Sequence, residues 1–393
     1  MRVEGVLTPH ERHHALVMGH NGTTQAEVLL FEAIAPFSVI VRNAALPWLF
    51  MGRRFATNNK YWLKFMLDFA FLVVPVLLSL TILAERIAMI LLAEGIALVS
   101  LFIFYLYEYC YFTPDKPPLK HVVNQVIDDQ HTPTIFITYI RSMVLIGTGV
   151  AILAVDFDVF PRRFAKTETY GRSVMDVGTA SFVFCAAFTN TFRDYPSRIV
   201  TRTATPGRFS FLYSSTMMLL YLGVGRSVVL KLLDYPEHVT EYGVHWNFFI
   251  TLASIRIITK LLGRRFHLLF GVVFAGIYQF LLEEEHLQLV FHTFLTAGFL
   301  FVQIASLFGW AAQMPQFSPD ENPFELVKPC LLRAVNRRAF AFFIISNLLT
   351  GAINIAHIGE YCNGDYEETT VIGIYMLIVC GVIFAFAKRD SIC

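Results

Sequence analysis

The sequence predicts an all-α polytopic membrane protein with about 11–13 transmembrane helices, and three observations predict it. Of the 393 residues, 55% are hydrophobic and 15% aromatic, and the mean hydropathy of +0.56 lies far above that of a soluble domain. The apolar residues collect in segments close to the ~20 that a bilayer requires. The connections between those segments alternate between basic and acidic along the chain. A net charge of +1 without basic or acidic blocks sets nucleic acid aside as a partner. Six scattered cysteines with no CxxC pair predict neither a disulfide framework nor a metal centre.

Residues 1–24 are polar, with His10, His13, His14 and His20 and no apolar core region, so no cleavable signal peptide is expected. Cys393 stands last, which leaves no CaaX box. Asn21-Gly22-Thr23 reads either as a glycosylation sequon or as a turn ahead of the first helix. Apolar helices are expected at about 25–49, 63–84, 87–107, 135–156, 174–192, 209–232, 244–261, 266–282, 286–310, 339–358 and 370–387. The first is the least regular, because it carries Glu27, Glu32 and Arg42. No internal repeat or low-complexity tract divides the series, so residues 1–393 read as a single domain.

Charge then sorts the connections. Arg53, Arg54 and Lys60, then Lys116 and Lys120, then Arg193, Arg198, Arg202 and Arg208 mark one side. Lys260, Arg264 and Arg265, Lys328, Arg333, Arg337 and Arg338, and finally Lys388 and Arg389 continue it. The positive-inside rule assigns these to the cytosol. The alternate connections hold Asp234, Glu237 and Glu241, then Glu283, Glu284 and Glu285, then Glu360, Asp365, Glu367 and Glu368, and these face the lumen. The N-terminus is therefore expected to be lumenal and the C-terminus cytosolic. Residues 157–173 break the pattern. Parity makes them lumenal, yet they carry Arg162, Arg163, Lys166 and Arg172, and a residue set that violates a general rule without local compensation often does so for function.

That connection belongs to the stretch AILAVDFDVFPRRFAKTETYGRSVMDVG, residues 151–178. Asp156-Phe157, then Phe160-Pro161-Arg162-Arg163-Phe164-Ala165-Lys166-Thr167-Glu168, then Gly171, and Met175-Asp176-Val177-Gly178 resemble the signature of the inositol acyltransferases of GPI-anchor biosynthesis. That family is known as PIG-W in animals and as the GPI-anchored wall transfer protein in fungi. Asn347-Leu348-Leu349-Thr350-Gly351 with Asn354, and Asn336-Arg337-Arg338 before it, are similar to its late NLLTG element. Gly22-Thr23 ahead of Glu27 is similar to its start. Relatives commonly carry an Asn-Lys/Arg-Glu-Gly-Ile segment where this chain has LEEEHLQLVFHTFLTAGFLF, which leaves its substrate range open.

The resemblance implies acyl transfer from acyl-CoA, typically palmitoyl-CoA, to the inositol 2-hydroxyl of glucosaminyl-phosphatidylinositol in the endoplasmic reticulum membrane. It also implies that Asp156 and Lys166 are catalytic and that no tightly bound cofactor or metal is needed. The chemistry agrees. A thioester needs a base for the incoming hydroxyl and a stabiliser for the tetrahedral oxyanion, and the end of an apolar helix desolvates an Asp and raises its basicity. Arg162 and Arg163 offer planar forks to a phosphodiester, either of the inositol lipid or of coenzyme A. Asp176 reads either as a substrate contact or as a partner of its helix dipole. Arg141, Asn347 and Asn354 join the substrate-binding candidates among the intramembrane polar residues, beside Asp68, Glu94, Arg226, His245, Asn247, Arg256 and His292. His292 in an apolar segment mimics another class of membrane acyltransferase, but a lone His is more often a satisfied interior residue, and no HxxxxD box is present. A lipid flippase or transporter built on intramembrane charges, and a non-catalytic scaffold of GPI assembly, are the alternatives. The oligomeric state is open.

Overall fold

The computed structural model describes residues 22–50, 60–111, 135–167, 172–193, 215–232, 247–262, 330–362 and 364–389, all helical or irregular with no strand among them. Helix α1 spans Gln25–Phe50. Helix α2, Lys60–Asp68, passes through a π turn at Phe69–Val73 into α3, Val74–Ser79. The π turn sits directly before Pro75, whose missing N–H and bulky ring would break a regular helix; the Val74 amide reaches back to the Phe69 carbonyl instead. A short 3-10 turn, Ala84–Arg86, leads into α4, Ile87–Tyr111. Then follow α5 at Ile135–Ala154, α6 at Val174–Arg193, α7 at Ser215–Leu232 and α8 at Phe248–Leu262. The last group is α9 at Cys330–Arg337, α10 at Ala339–Ile355, a 3-10 turn at Ile358–Tyr361 and α11 at Asp365–Arg389.

Among the described residues four helices are long and apolar enough to cross a membrane, and a fifth crossing results if α9 and α10, bent by 86°, form one span. The chain is a multi-pass membrane protein. The helices expected at 266–282 and 286–310 lie outside the described residues. Two expectations need correction. The last helix starts at Asp365 and not near 370, because Asp365, Glu367 and Glu368 form its first turn, where acidic side chains meet the positive end of the helix dipole. Helix α9 was read as part of a basic connection. It is an amphipathic helix that buries Cys330, Leu331, Leu332, Ala334 and Val335, exposes Arg337 and leaves Arg333 half-buried.

The core is made where α5, α10 and α11 meet. Gly149 lets the Phe342 ring come so close that a Cβ there would stand 3.1 Å from it. Tyr375 ties all three helices together. Its buried hydroxyl lies 3.0 Å from the Gly149 carbonyl and 3.4 Å from that of Ser346, and Thr350 donates to it at 3.5 Å. Several polar residues inside the apolar segments are paired, as hydrocarbon favours. Fully buried Arg42 and Asp68 form an ion pair at 2.7 Å, and Asp68 accepts the Leu331 amide at 2.9 Å, capping α9. Ser38 donates to Glu94 at 2.6 Å, and Asn247 donates to the Gly223 carbonyl at 2.8 Å.

The helices gather their ends at two faces. At one face lie the starts of α1, α4, α6 and α11 and the ends of α3, α5 and α10, around residues 155–167 and 172–173. At the other, Tyr61 at the start of α2 donates to the Phe384 carbonyl late in α11, and Ser142 of α5 donates to the Leu332 carbonyl of α9 at 2.6 Å. Residue 22 and the charged connection therefore share a face, and α11 ends at the opposite one.

Candidate active site

Helix α5 ends at Ala154 and the chain tightens over Asp156 and Phe157, whose amides bond to the carbonyls of Leu153 and Ala154 at 3.1 and 3.0 Å. Three aromatic rings then anchor the connection in the core: Phe157, Phe160 and Phe164 are buried, with Phe164 packed on Phe160 and on Phe31 of α1. Apolar anchors at these intervals hold the polar residues between them at the rim. Asp156 is half-buried there, and the Asn354 amide donates to its Oδ2 at 2.7 Å across 198 residues of sequence.

Arg162 turns back over the same point. Its guanidinium donates to the Val155 carbonyl at 2.6 Å and to that of Phe157, the two carbonyls flanking Asp156. A cation at a helix C-terminus is favoured by the dipole and by the unsatisfied carbonyls. Burial pulls the Arg162 pKa below its ordinary value, opposed by the carboxylates of Asp158, Asp156 and Glu368. Glu368, buried in the first turn of α11, accepts the Val159 amide at 2.7 Å. Gly359 in the turn before α11 faces the Phe157 ring, 3.6 Å from where its Cβ would be.

Arg163 points the other way. Its Nε and Nη2 hold the Glu27 carboxylate at 3.0 and 2.8 Å, and Nη1 donates to Glu85. Burial lowers the pKa of this guanidinium, but the bonds and charges of Glu27 and Glu85 outweigh it and leave it above the ordinary value. The start of α1 is bound to the connection in two further places. The Thr23 amide donates to the Arg172 carbonyl at 2.7 Å, and Arg172 donates to Gln25 at 3.1 Å.

Lys166 is half-buried between buried Ala165 and Thr167. Thr167 donates from its hydroxyl to Asp176 at 3.1 Å, and Ser173 donates to the same oxygen at 2.8 Å. The Asp176 amide returns a bond to the Ser173 hydroxyl at 3.2 Å, which makes Ser173 and Asp176 a capping pair for α6. Asp176 thus bonds at the start of its own helix.

The structure brings Asp156, Arg162, Arg163, Lys166, Asp176 and Asn354 to one face of the bundle. It does not bring Arg141 or Asn347 there. Arg141 lies fifteen residues before Asp156, roughly 22 Å down the helix, beside Cys185 of α6. Asn347 sits two turns below Asn354, exposed, with its amide on the Phe343 carbonyl at 2.8 Å. Sequence reasoning missed Gln25, Glu27, Glu85 and Glu368. Glu27 read as an irregularity of the first helix and Glu368 as part of an acidic connection, and nothing local in the sequence shows which arginine or amide they meet.

Comparison with known proteins adds the decisive observation: the GWT1 family model matches residues 9–293 and 287–386. The chain belongs to the GWT1 family. The two matched pieces meet inside the stretch where the sequence lacks the Asn-Lys/Arg-Glu-Gly-Ile segment. The chain is 35% identical over 266 residues to the glucosaminyl-phosphatidylinositol-acyltransferase PIGW of Bos taurus, covering 65% of this chain and 50% of that protein. It is 31% identical over 319 residues to GPI-anchored wall transfer protein 1 of Candida glabrata, covering 76% and 63%. Over 131 residues it is 49% identical to GPI-anchored wall transfer protein 1 of Debaryomyces hansenii, covering 31% and 27%. The chain spans about half the length of the mammalian relatives it matches.

Proposed function

We propose that this GWT1 family member is an inositol O-acyltransferase that moves a fatty acyl chain, palmitoyl as the usual one, from acyl-CoA to the inositol 2-hydroxyl of glucosaminyl-phosphatidylinositol. The observation that carries the reading is the framed carboxylate: Asp156 stands at the open end of α5, held by Asn354 at 2.7 Å, inside the signature stretch. Asp156 takes the proton of the inositol hydroxyl as its oxygen attacks the thioester carbonyl. Lys166 faces the negative charge that develops on the carbonyl oxygen. Collapse of the tetrahedral intermediate breaks the carbon–sulfur bond, and the departing thiolate recovers the proton as coenzyme A leaves. One ester forms, one thioester is lost, and no metal or redox cofactor enters the balance.

The lipid phosphodiester meets Arg163. Of its two carboxylate partners, Glu85 is 77% exposed and Glu27 only 23%. An exposed pair is worth little, so phosphate displaces Glu85 while Glu27 keeps the guanidinium in place. Arg162 adds positive charge from behind while its N–H groups hold the connection. In this reading the face with residue 22 and the connection is lumenal, the end of α11 is cytosolic, and the membrane is that of the endoplasmic reticulum. An anionic lipid substrate then accounts for Arg163 and Lys166 on a lumenal connection, while Arg162 and Arg172 hold the connection itself.

The test is transfer from labelled palmitoyl-CoA to glucosaminyl-phosphatidylinositol by the purified protein, wild type beside Asp156→Asn, with folding checked by thermal unfolding. Wild-type transfer that falls at least a hundredfold in the variant is expected. Equal transfer by both would remove Asp156 as the base, and absence of transfer by wild type would remove the enzyme reading.

A further inference from the structure

We infer that Asn354 is a positioning residue for Asp156 and not a substrate contact: with Arg162 and Glu368 it closes a three-sided frame that sets the direction of the carboxylate, and its own N–H favours the ionised form. The inference rests on the acyltransferase reading above for its consequence, though not for its geometry.

Each side of the frame comes from a different part of the fold. Asn354 of α10 holds the carboxylate itself. Arg162, on the connection, grips the carbonyls immediately before and after Asp156. Glu368 of α11 fixes the backbone three residues further on, at the Val159 amide. Rotation of the Asp156 side chain is opposed by the first, and movement of its backbone by the other two.

The chemistry of the first contact has a sign. The carboxamide NH₂ donates and cannot accept, and an ionised carboxylate accepts and cannot donate. A hydrogen bond to the charged form of an acid favours that form, so Asn354 keeps Asp156 ready to receive a proton. One N–H of the Asn354 amide is given to Asp156 at 2.7 Å; a substrate contact would have to use the second N–H or the carboxamide oxygen, and the KM for the lipid reads that possibility. Arg162 on its own connection and Tyr375 on α11 interact electrostatically with Asp156, and Asp158 and Glu368 act on the same Arg162 guanidinium. Asn354→Leu leaves these groups in place and removes the hydrogen bond from Nδ2 to Asp156.

The experiment is a pH profile of kcat and KM for palmitoyl transfer by the full chain in nanodiscs, for wild type, Asn354→Leu and Asn354→Asp. For Asn354→Leu the acid limb of kcat moves up by about one pH unit or more, kcat falls about tenfold, and KM for the lipid stays within twofold. Asn354→Asp sets a second carboxylate beside the first, and two such groups share a proton, so its acid limb moves further up. Should Asn354→Leu fail to fold, Asn354→Asp decides alone. An unmoved acid limb, or a KM raised tenfold at constant kcat, would overturn the inference. Infrared titration of the Asp156 carboxyl band, assigned with Asp156→Asn, separates the two readings. An upward shift in Asn354→Leu without any wild-type transfer sinks the acyltransferase reading and keeps the coupling. Transfer without a shift sinks the coupling alone.

Discussion

Gly22 is where the start of α1 meets the charged connection, and replacing it with Ala measures how much that meeting matters. Its φ is +77°, and a Cβ there would lie 2.2 Å from the Arg172 carbonyl oxygen, 2.8 Å from the Arg172 nitrogen and 2.8 Å from Cγ2 of Thr167. The left-handed conformation costs a non-glycine residue about 1–2 kcal/mol. The overlap is with backbone, so no rotamer relieves it, and the Thr23 amide must part from the Arg172 carbonyl at the loss of about 1 kcal/mol more. Together these loosen the docking by about 2–3 kcal/mol. Because opening of this kind is local, hydrogen exchange at the Thr23 amide should accelerate roughly 30- to 150-fold while exchange in the α5 and α11 core is unchanged. Transfer should fall with it, since Thr167 next to Lys166 loses the surface it packs on. Exchange at Thr23 within threefold of wild type, with full transfer, would refute the reasoning.

Two further perturbations test the pairings. Arg42→Met leaves Asp68 buried and uncompensated and should cost about 3–5 kcal/mol in detergent unfolding; adding Asp68→Leu should restore only part of it, because the Leu331 amide then loses its 2.9 Å acceptor. Glu85→Gln should change stability by less than about 1 kcal/mol and lower KM for the lipid, whereas Glu27→Gln, which removes the more buried, bidentate partner of Arg163, should raise it. Equal effects from the two would show that Arg163 does not exchange one partner and keep the other.

Much of the fold was legible because hydrocarbon imposes length and composition on each segment. The helices at 87–111, 135–154 and 174–193 follow the apolar runs within a few residues. The reading failed where burial and charge coincide. Helix α9 is eight residues long, too short for the apolar-length criterion, and its arginines masked the row of apolar residues between them. Asp365, Glu367 and Glu368 looked like connection because they are acidic, yet one of them is a buried holder of the site. Within the candidate site, Asp156, Arg162, Lys166 and Asp176 were visible as one contiguous pattern. Their partners were not, because Glu27 meets Arg163 across 136 residues and Asn354 meets Asp156 across 198, and such pairings depend on packing alone.

Glu368 bonds to Val159 across 209 residues, and this spacing bears on how the protein is made. A chain emerging from the ribosome inserts α5 and the residues after it long before α11 exists. Until α10 and α11 arrive, Asp156 has no Asn354 and Val159 has no Glu368, and long-range contacts of this kind form late. The rim of the candidate site is thus completed late in biogenesis, once residue 368 is in place. Nascent chains arrested before residue 368 should enter the membrane with their early helices in place and the charged connection still open to protease.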